Sequence, residues 1–296
     1  MNFKYADPNI LQLLNNFIFE PDSVVEGKHT GKHRSFSIGR SLEFVQHREY
    51  TQTDDLKYID WKVYARRDRF FIKQYYQETN LESWIFIDCS KSMWFPENGK
   101  EITKYEYANY IASYLSYILL KQGDSVGIAK FDNKIKSLLE KSSKEKFYYK
   151  ILQFLEEEII GDKTKFVNII DEILKFAKKR MFLIFISDLI INNEIEVVRL
   201  FKKISSYGIN VLILHIIHPK EYDLNWIEEN RITFEDVEYL KQITTEIDEI
   251  KKLYQKELNK ILEYYKTQLN NKNINYFLIN TKLPVLENLQ LIISQK

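Results

Sequence analysis

The chain has 296 residues, 45% of them hydrophobic, and a formal charge of +1. That length fits one large α/β domain or a core domain with a smaller module, and near-neutrality leaves no global field to attract nucleic acid. Eight glycines and five prolines argue against long flexible linkers, and a single cysteine, Cys89, excludes an intrachain disulfide.

In chain order, Asn9 to Phe19 predicts a short helix, with Ile10, Leu11, Leu14, Phe17 and Ile18 at helical spacing. Ser23 to Tyr50 predicts short strands punctuated by Gly27, Gly31 and Gly39, with Leu42 to Val45 as the best strand core. Asp54 to Arg67 predicts a turn into a helix, and Arg69 to Glu78 alternates as a strand. From Leu81 onward strands and helices alternate, which predicts a parallel sheet. The strands are Leu81–Asp88, Ser125–Phe131 with a short partner Ile135–Leu139, Met181–Ser187 and Ile209–Ile217. The helices are Glu101–Lys121 (with Gly123 at its C′ position), Lys144–Glu158, Phe166–Lys179 and Asn193–Tyr207. Arg231–Phe234 and Leu240–Thr244 pair as a hairpin, Glu246–Leu269 is a long charged helix, Asn275–Asn280 a last strand, and Pro284 opens a final helix.

The lone cysteine and the absence of a signal-peptide pattern from Met1 to Pro8 predict a cytoplasmic location. Apolar runs such as Met181 to Ile186 and Val211 to Ile217 are too short to span a bilayer. Charge is unevenly spread. Lys28 to Lys73 holds eleven Lys/Arg against six Asp/Glu, while Glu221 to Glu249 holds two against ten. Such polarity points to protein contacts rather than to a nucleic-acid tract.

The chemistry concentrates at Asp88-Cys89-Ser90-Lys91-Ser92-Met93, a loop following the apolar run Trp84 to Ile87. Asp88, Ser90 and Ser92 alternate, so an extended turn converges their side chains on one point. A carboxylate and two hydroxyls are hard donors that suit Mg²⁺ or Mn²⁺ rather than Zn²⁺. Asp188 ends another predicted strand, and open α/β sheets bind ligands beyond the carboxyl ends of their strands. Thr164 precedes a predicted helix. The D-x-S-x-S-M pattern resembles the metal-ion-dependent adhesion site of von Willebrand factor A-type domains. That resemblance makes Ser90, Ser92 and Thr164 ligands, directly or through water, and makes Asp88 and Asp188 anchors of the ion. The metal implied is Mg²⁺, with Mn²⁺ or Ca²⁺ as alternatives. Two carboxylates only partly neutralise a divalent ion, so a partner's Glu or Asp filling its open position would bind with positive coupling of ~1–3 kcal/mol.

Upstream stands a second pattern: Gly39, Glu43-Phe44, Arg48-Glu49-Tyr50, Asp54-Asp55, Ile59-Asp60-Trp61-Lys62, Ala65-Arg66, Lys73 and Glu78. With the downstream domain it resembles the bacterial family called domain of unknown function fifty-eight. Thr53 departs from that family's usual Gly before the paired aspartates. The resemblance implies a von Willebrand A-like, Rossmann-like α/β domain at 81–296: a mostly parallel sheet flanked by helices, with a hairpin insertion near 230–245. A small β-rich module at 1–80 precedes it. It further implies a non-enzymatic adaptor working with a MoxR-type AAA+ ATPase in protein maturation or complex assembly. Arg48, Asp54, Asp55, Asp60, Trp61 and Arg66 are expected to form a buried polar network, with an interaction surface as the alternative.

Two other functions compete. Asp88 as the nucleophile of a phosphatase would want a second aspartate two positions on, and Ser90 stands there instead. Lys57, Lys62, Arg66, Arg67, Arg69 and Lys73 interleave with aromatic residues as in a strand-tracking nucleic-acid site, but Asp54, Asp55, Asp60 and Asp68 sit among them. His29/His33 and His215/His218 lack the carboxylate or cysteine company of a zinc site and are expected as solvated loop or strand-end residues. No phosphate-binding loop, nucleophile elbow or H-E-x-x-H is present.

Overall fold

The computed structural model describes residues 3–19, 34–38, 43–51, 54, 56–67, 69–78, 81–96, 101–162, 164, 166–176, 181–190, 193–222, 224, 231–235 and 242–294. Gly27, Gly31, Gly39, Leu42, Thr53, Asp55, Leu240 and the His29/His33 pair lie outside the described residues. The chain divides into two compact units, residues 24–81 and residues 1–23 with 82–296.

The larger unit begins with α1 (Pro8–Leu14), capped by the Asp7 carboxylate, which accepts from the Asn9 N–H at 2.8 Å. The smaller unit contains β1 (Arg34–Ile38), β2 (Glu43–Glu49), α2 (Trp61–Arg67) and β3 (Phe71–Glu78), its strands antiparallel in the order β1-β3-β2. In it Arg48 donates to Asp54 at 2.6 Å, and His47 meets Asp60 at 2.9 Å. The expected polar network is therefore only partly buried. Asp60 is inside, but Trp61 is 60% exposed and Arg66 is on the surface. Trp61 instead joins a surface aromatic group in which Tyr64 stacks on Phe70 at 4.5 Å.

The rest of the larger unit runs β4 (Glu82–Asp88), α3 (Lys104–Lys121), β5 (Ser125–Phe131), β6 (Ile135–Ser142), α4 (Phe147–Glu156), α5 (Phe166–Phe176), β7 (Met181–Ser187), α6 (Glu194–Ser206), β8 (Asn210–Ile217), α7 (Pro219–Tyr222), β9 (Arg231–Glu235), β10 (Gln242–Glu246), α8 (Ile247–Leu269), β11 (Ile274–Asn280) and α9 (Val285–Ser294). Six strands form one sheet in the order β11-β8-β7-β4-β5-β6. Every neighbouring pair is parallel except β5–β6. β9 and β10 pair as the expected hairpin.

The apolar runs make this sheet buried on both sides, as parallel sheets are. Successive β4 residues point to opposite faces, so Trp84 and Phe86 enter a core with Phe166, Ile170, Phe201 and Tyr265 of α5, α6 and α8. Helices α1, α4 and α9 gather around α3. A Cβ at Gly127 of β5 would stand 2.6 Å from the Trp84 ring, so glycine is needed for the indole to lie flat on the sheet.

Several predicted ends move. The first helix stops at Leu14, because Phe19 exchanges backbone hydrogen bonds of 3.0 Å with the Gln122 side chain instead of extending the helix. Residues 1–23, read as part of the N-terminal module, belong with the larger unit. Tyr5, Leu14 and Phe19 are buried there, with the Tyr5 ring edge-on to Tyr110 of α3. Helix α3 starts at Lys104 rather than Glu101, since Thr103 and Glu106 form a capping box that fixes the first turn. Gly123 takes the left-handed φ of 88° after that helix, as predicted. Among the described residues no helix is long and apolar enough to cross a membrane.

Candidate functional site

The centre of the sheet places the site. β4 lies between β5 and β7, and all three run parallel, so their carboxyl ends open on one edge. Asp88 is the last residue of β4 and has no exposed surface. After it the Cys89 N–H donates to the Phe131 carbonyl of β5 at 2.8 Å, and its thiol donates to the same oxygen at 3.1 Å. Residues Lys91–Trp94 then turn as a short 3₁₀ segment that buries Ser92 and Met93. The turn brings the Ser90 and Ser92 hydroxyl oxygens to 3.1 Å, while the Ser90 N–H donates to Asp88 Oδ1 at 2.9 Å.

A second loop arrives from α4. Asp132, at the end of β5, accepts from the Asp162 N–H at 2.8 Å, and the Gly161 N–H donates to the Cys89 carbonyl at 2.7 Å. A Cβ at Gly161 would lie 2.9 Å from both the Cys89 oxygen and the Asp132 Cβ, so only glycine permits this approach. The loop delivers Thr164, whose hydroxyl lies 2.9 and 3.1 Å from the two Asp88 oxygens. From β7, Ser187 donates to Asp88 Oδ2 at 2.7 Å. Asp188 follows, 5% exposed, and the Ser92 hydroxyl lies close enough to help hold its charge. Leu189 adopts a left-handed φ of 50° and is held there by core packing and by its N–H bond to Ser187 Oγ at 3.0 Å.

All five predicted residues thus lie at one sheet edge: Ser90 and Thr164 bond to Asp88, Ser92 to Ser90, and Asp188 follows the neighbouring strand β7. Four residues outside the predicted set belong with them: Ser187, Asp132, Lys104 and Glu221. Ser187 closes the hydrogen bonding of Asp88, and Asp132 anchors the Thr164 loop. Lys104, the first residue of α3, is wholly buried, and its ammonium lies 2.8 Å from Asp188 Oδ2 and 2.5 Å from Glu221 Oε1 of α7. A buried lysine at a helix start carries no sequence signal, because its partners lie 84 and 117 residues away.

Electrostatics divide the two aspartates. Burial, with the Asp188 charge beside it, raises the Asp88 pKa to about 6 despite its hydrogen bonds from Ser187 and Ser90. Burial works on Asp188 in the same sense, but the Lys104 charge and hydrogen bond outweigh it and hold that carboxyl below its ordinary value. Lys104 is in turn held protonated against its burial by Asp188 and Glu221. Among the described residues no basic side chain pairs with Asp88. Nor does any group of three or more His, Cys, Asp and Glu converge among them. The donor set is instead one uncompensated carboxylate among hydroxyls, the chemistry of a small hard cation rather than of zinc.

The remaining candidates resolve differently. His215 of β8 is buried, its Nδ1 2.7 Å from the Tyr276 hydroxyl, and His218, the residue after β8, is buried near Glu101, so the strand-end expectation holds for His218 and neither is solvated. In the basic-aromatic stretch, Lys57, Lys62, Arg66 and Arg69 are exposed, and Arg69 lies 3.4 Å from Glu49.

The model of the protein of unknown function DUF58 matches residues 46–262, well over half of the chain. The chain belongs to the DUF58 family. This DUF58 chain is also 28% identical over 89 residues to uncharacterized proteins of Mycobacterium bovis and Mycobacterium tuberculosis, a match covering 30% of the chain and 28% of each relative. It thus spans a little under a third of the length of the curated relatives it matches. Similar solved structures include BatB from Bacteroides thetaiotaomicron (21% identity, 73% of this chain and 98% of that one, TM-score 0.45). They also include an aerotolerance-related membrane protein from Bacteroides fragilis (21%, 73% and 98%, TM-score 0.46). A third is the SpRpn10 VWA domain (14%, 74% and 96%, TM-score 0.44). The DUF58 chain has a mixed α/β fold, a mostly parallel central sheet flanked by helices.

Proposed function

We propose that this protein is a non-enzymatic, metal-dependent protein-binding module, with Mg²⁺ as the ion and Mn²⁺ or Ca²⁺ as substitutes. One observation carries the reading: the Asp88 carboxylate is fully buried, bonded only by neutral donors among the described residues, and flanked by the Ser90, Ser92 and Thr164 hydroxyls. Ser90, Ser92 and Thr164 would hold the ion, with Asp88 and Asp188 as anchors reached directly or through water. The ion would supply a positive charge with a coordination position left for an acidic side chain of another protein. This chain's residues do the rest. Asp132 and Gly161 hold the Thr164 loop against β4, and Ser187 and the Ser90 N–H fix the Asp88 carboxylate.

The acidic group would come from a client or from a MoxR-type AAA+ ATPase, the partner that the family resemblance implies, in protein maturation or complex assembly in the cytoplasm. ATP chemistry belongs to that partner. No catalytic role is assigned to Asp88, because the position two residues on is Ser90 rather than an acid.

The test is affinity capture from native lysate with and without divalent metal, comparing the unsubstituted chain with Asp88→Ala. Partner recovery is expected only with metal and only with Asp88. Recovery that is independent of metal and unchanged in Asp88→Ala would sink the reading. A thermal shift is the quicker companion: Mg²⁺ at a hundred times its Kd stabilises the fold by about 2.7 kcal/mol.

A further inference from the structure

We propose that Lys104 is a tethered counter-cation that sets how tightly the Asp88–Ser92 loop holds a divalent ion, and that Glu221 adjusts that hold. The inference rests on the metal-binding reading above and names the residues that regulate that site. Lys104 has no exposed surface, and it stands at the first position of α3, where the helix dipole opposes a positive charge. A lysine survives there only by pairing, and its two partners are unequal. Asp188 is one of the two carboxylates of the site and is itself buried. Glu221 lies on α7 after β8, and its side chain keeps 20% of its surface exposed. Its other oxygen accepts from the His218 N–H at 3.1 Å, and its carbonyl accepts from the Tyr254 hydroxyl at 2.7 Å.

The ammonium therefore spends part of its charge on a carboxylate that a divalent ion would also use. Two cations in one buried, low-dielectric neighbourhood repel. Removing Lys104 leaves Asp188 and Glu221 as uncompensated acids and makes the site more attractive to a metal. Removing the Glu221 charge turns the whole ammonium toward Asp188 and makes the site less attractive. A group that draws Glu221 outward would act in the same direction and loosen the ion.

The test is calorimetric titration of the full chain with MgCl₂, using the unsubstituted protein, Lys104→Met, Glu221→Gln and the double variant. Lys104→Met is expected to tighten Mg²⁺ at least tenfold, equivalent to about 1.4 kcal/mol. Glu221→Gln is expected to weaken it several-fold, and that penalty is expected to shrink when Lys104→Met is already in place. An unchanged or weakened Mg²⁺ affinity in Lys104→Met, with normal uptake by the unsubstituted chain, overturns the inference and leaves the metal site standing. If Lys104→Met fails to fold, Glu221→Gln decides alone, and an unchanged affinity there overturns the inference. No uptake by the unsubstituted chain but uptake by Lys104→Met supports Lys104 as the resident cation. No uptake by either removes the metal reading and this inference together.

Discussion

Asp88 has to carry charge where charge is costly. Its folded pKa is raised to about 6 by burial and by Asp188. A raised value means that the carboxyl contributes stability below the ordinary carboxylate range and loses it as the pH climbs through 6, so at neutral pH the metal-free fold bears the cost. Asp88→Asn is therefore expected to raise the metal-free stability by about 1–3 kcal/mol while abolishing the Mg²⁺-induced shift, both visible in a thermal melt. A melt in which Asp88→Asn lowers stability without metal would contradict that account of the carboxylate. His215 shifts the other way. Burial lowers its pKa to about 4, so its contribution is full above pH 6.5 and fades as the pH falls toward 4, about 3 kcal/mol in all. The prediction is an imidazole whose NMR resonances stay fixed from pH 8 to pH 5. Titration of that ring near 6.5 would refute it. At this scale the sequence reveals what is contiguous. Asp88, Ser90 and Ser92 announce themselves by alternation, and Thr164 and Asp188 by their resemblance to a known pattern. Lys104 and Ser187 look like an ordinary helix residue and an ordinary strand end, since only the folded chain brings their partners near.

At the scale of elements, loops decide the site more than strands do. The strands Ser125–Phe131 and Met181–Ser187 end where their patterns predict, because apolar runs stop at a turn or a polar residue. Helix ends are less legible, since caps and tertiary contacts trim them, as Thr103 does for α3 and Gln122 does for the segment after α1. The loop after α4 is fixed by contacts spread over Cys89, Asp132 and Gly161, which no local pattern displays. Gly161→Ala is expected to cost about 1–3 kcal/mol by overpacking and to weaken Mg²⁺ binding by displacing Thr164. Paired melting and titration curves check both halves, and an alanine with unaltered Mg²⁺ affinity would show that Thr164 is not held by this contact. Thr103→Ala should lower stability by ~1 kcal/mol through the lost cap, measured by urea unfolding.

At the scale of the molecule, the fold class was legible and the segmentation was not. Alternating strands and helices from Leu81 onward require a mostly parallel sheet, and the sheet has one. Adjacency alone joins the first residues to the β-rich stretch that follows them, yet Tyr5, Leu14 and Phe19 are buried in the larger unit. Deleting residues 1–19 removes those three side chains, each contributing roughly 1.5–3 kcal/mol. Such a truncated chain is expected to melt far below the full one or to aggregate. A truncation that melts like the full chain would mean that α1 is dispensable to the unit.

Cys89 sits between the two residues on which the site turns, buried beneath the Phe131 carbonyl, with its thiol pKa pushed up to about 12 by that burial and by the Asp88 charge. Such a sulfur ignores alkylating reagents until the loop around it parts, and it is the only sulfhydryl the chain has. Its labelling rate is therefore a built-in clock for the opening of this edge of the sheet, readable by mass in an otherwise silent protein. An ion seated among Ser90, Ser92 and Thr164 should slow that clock in proportion to its occupancy.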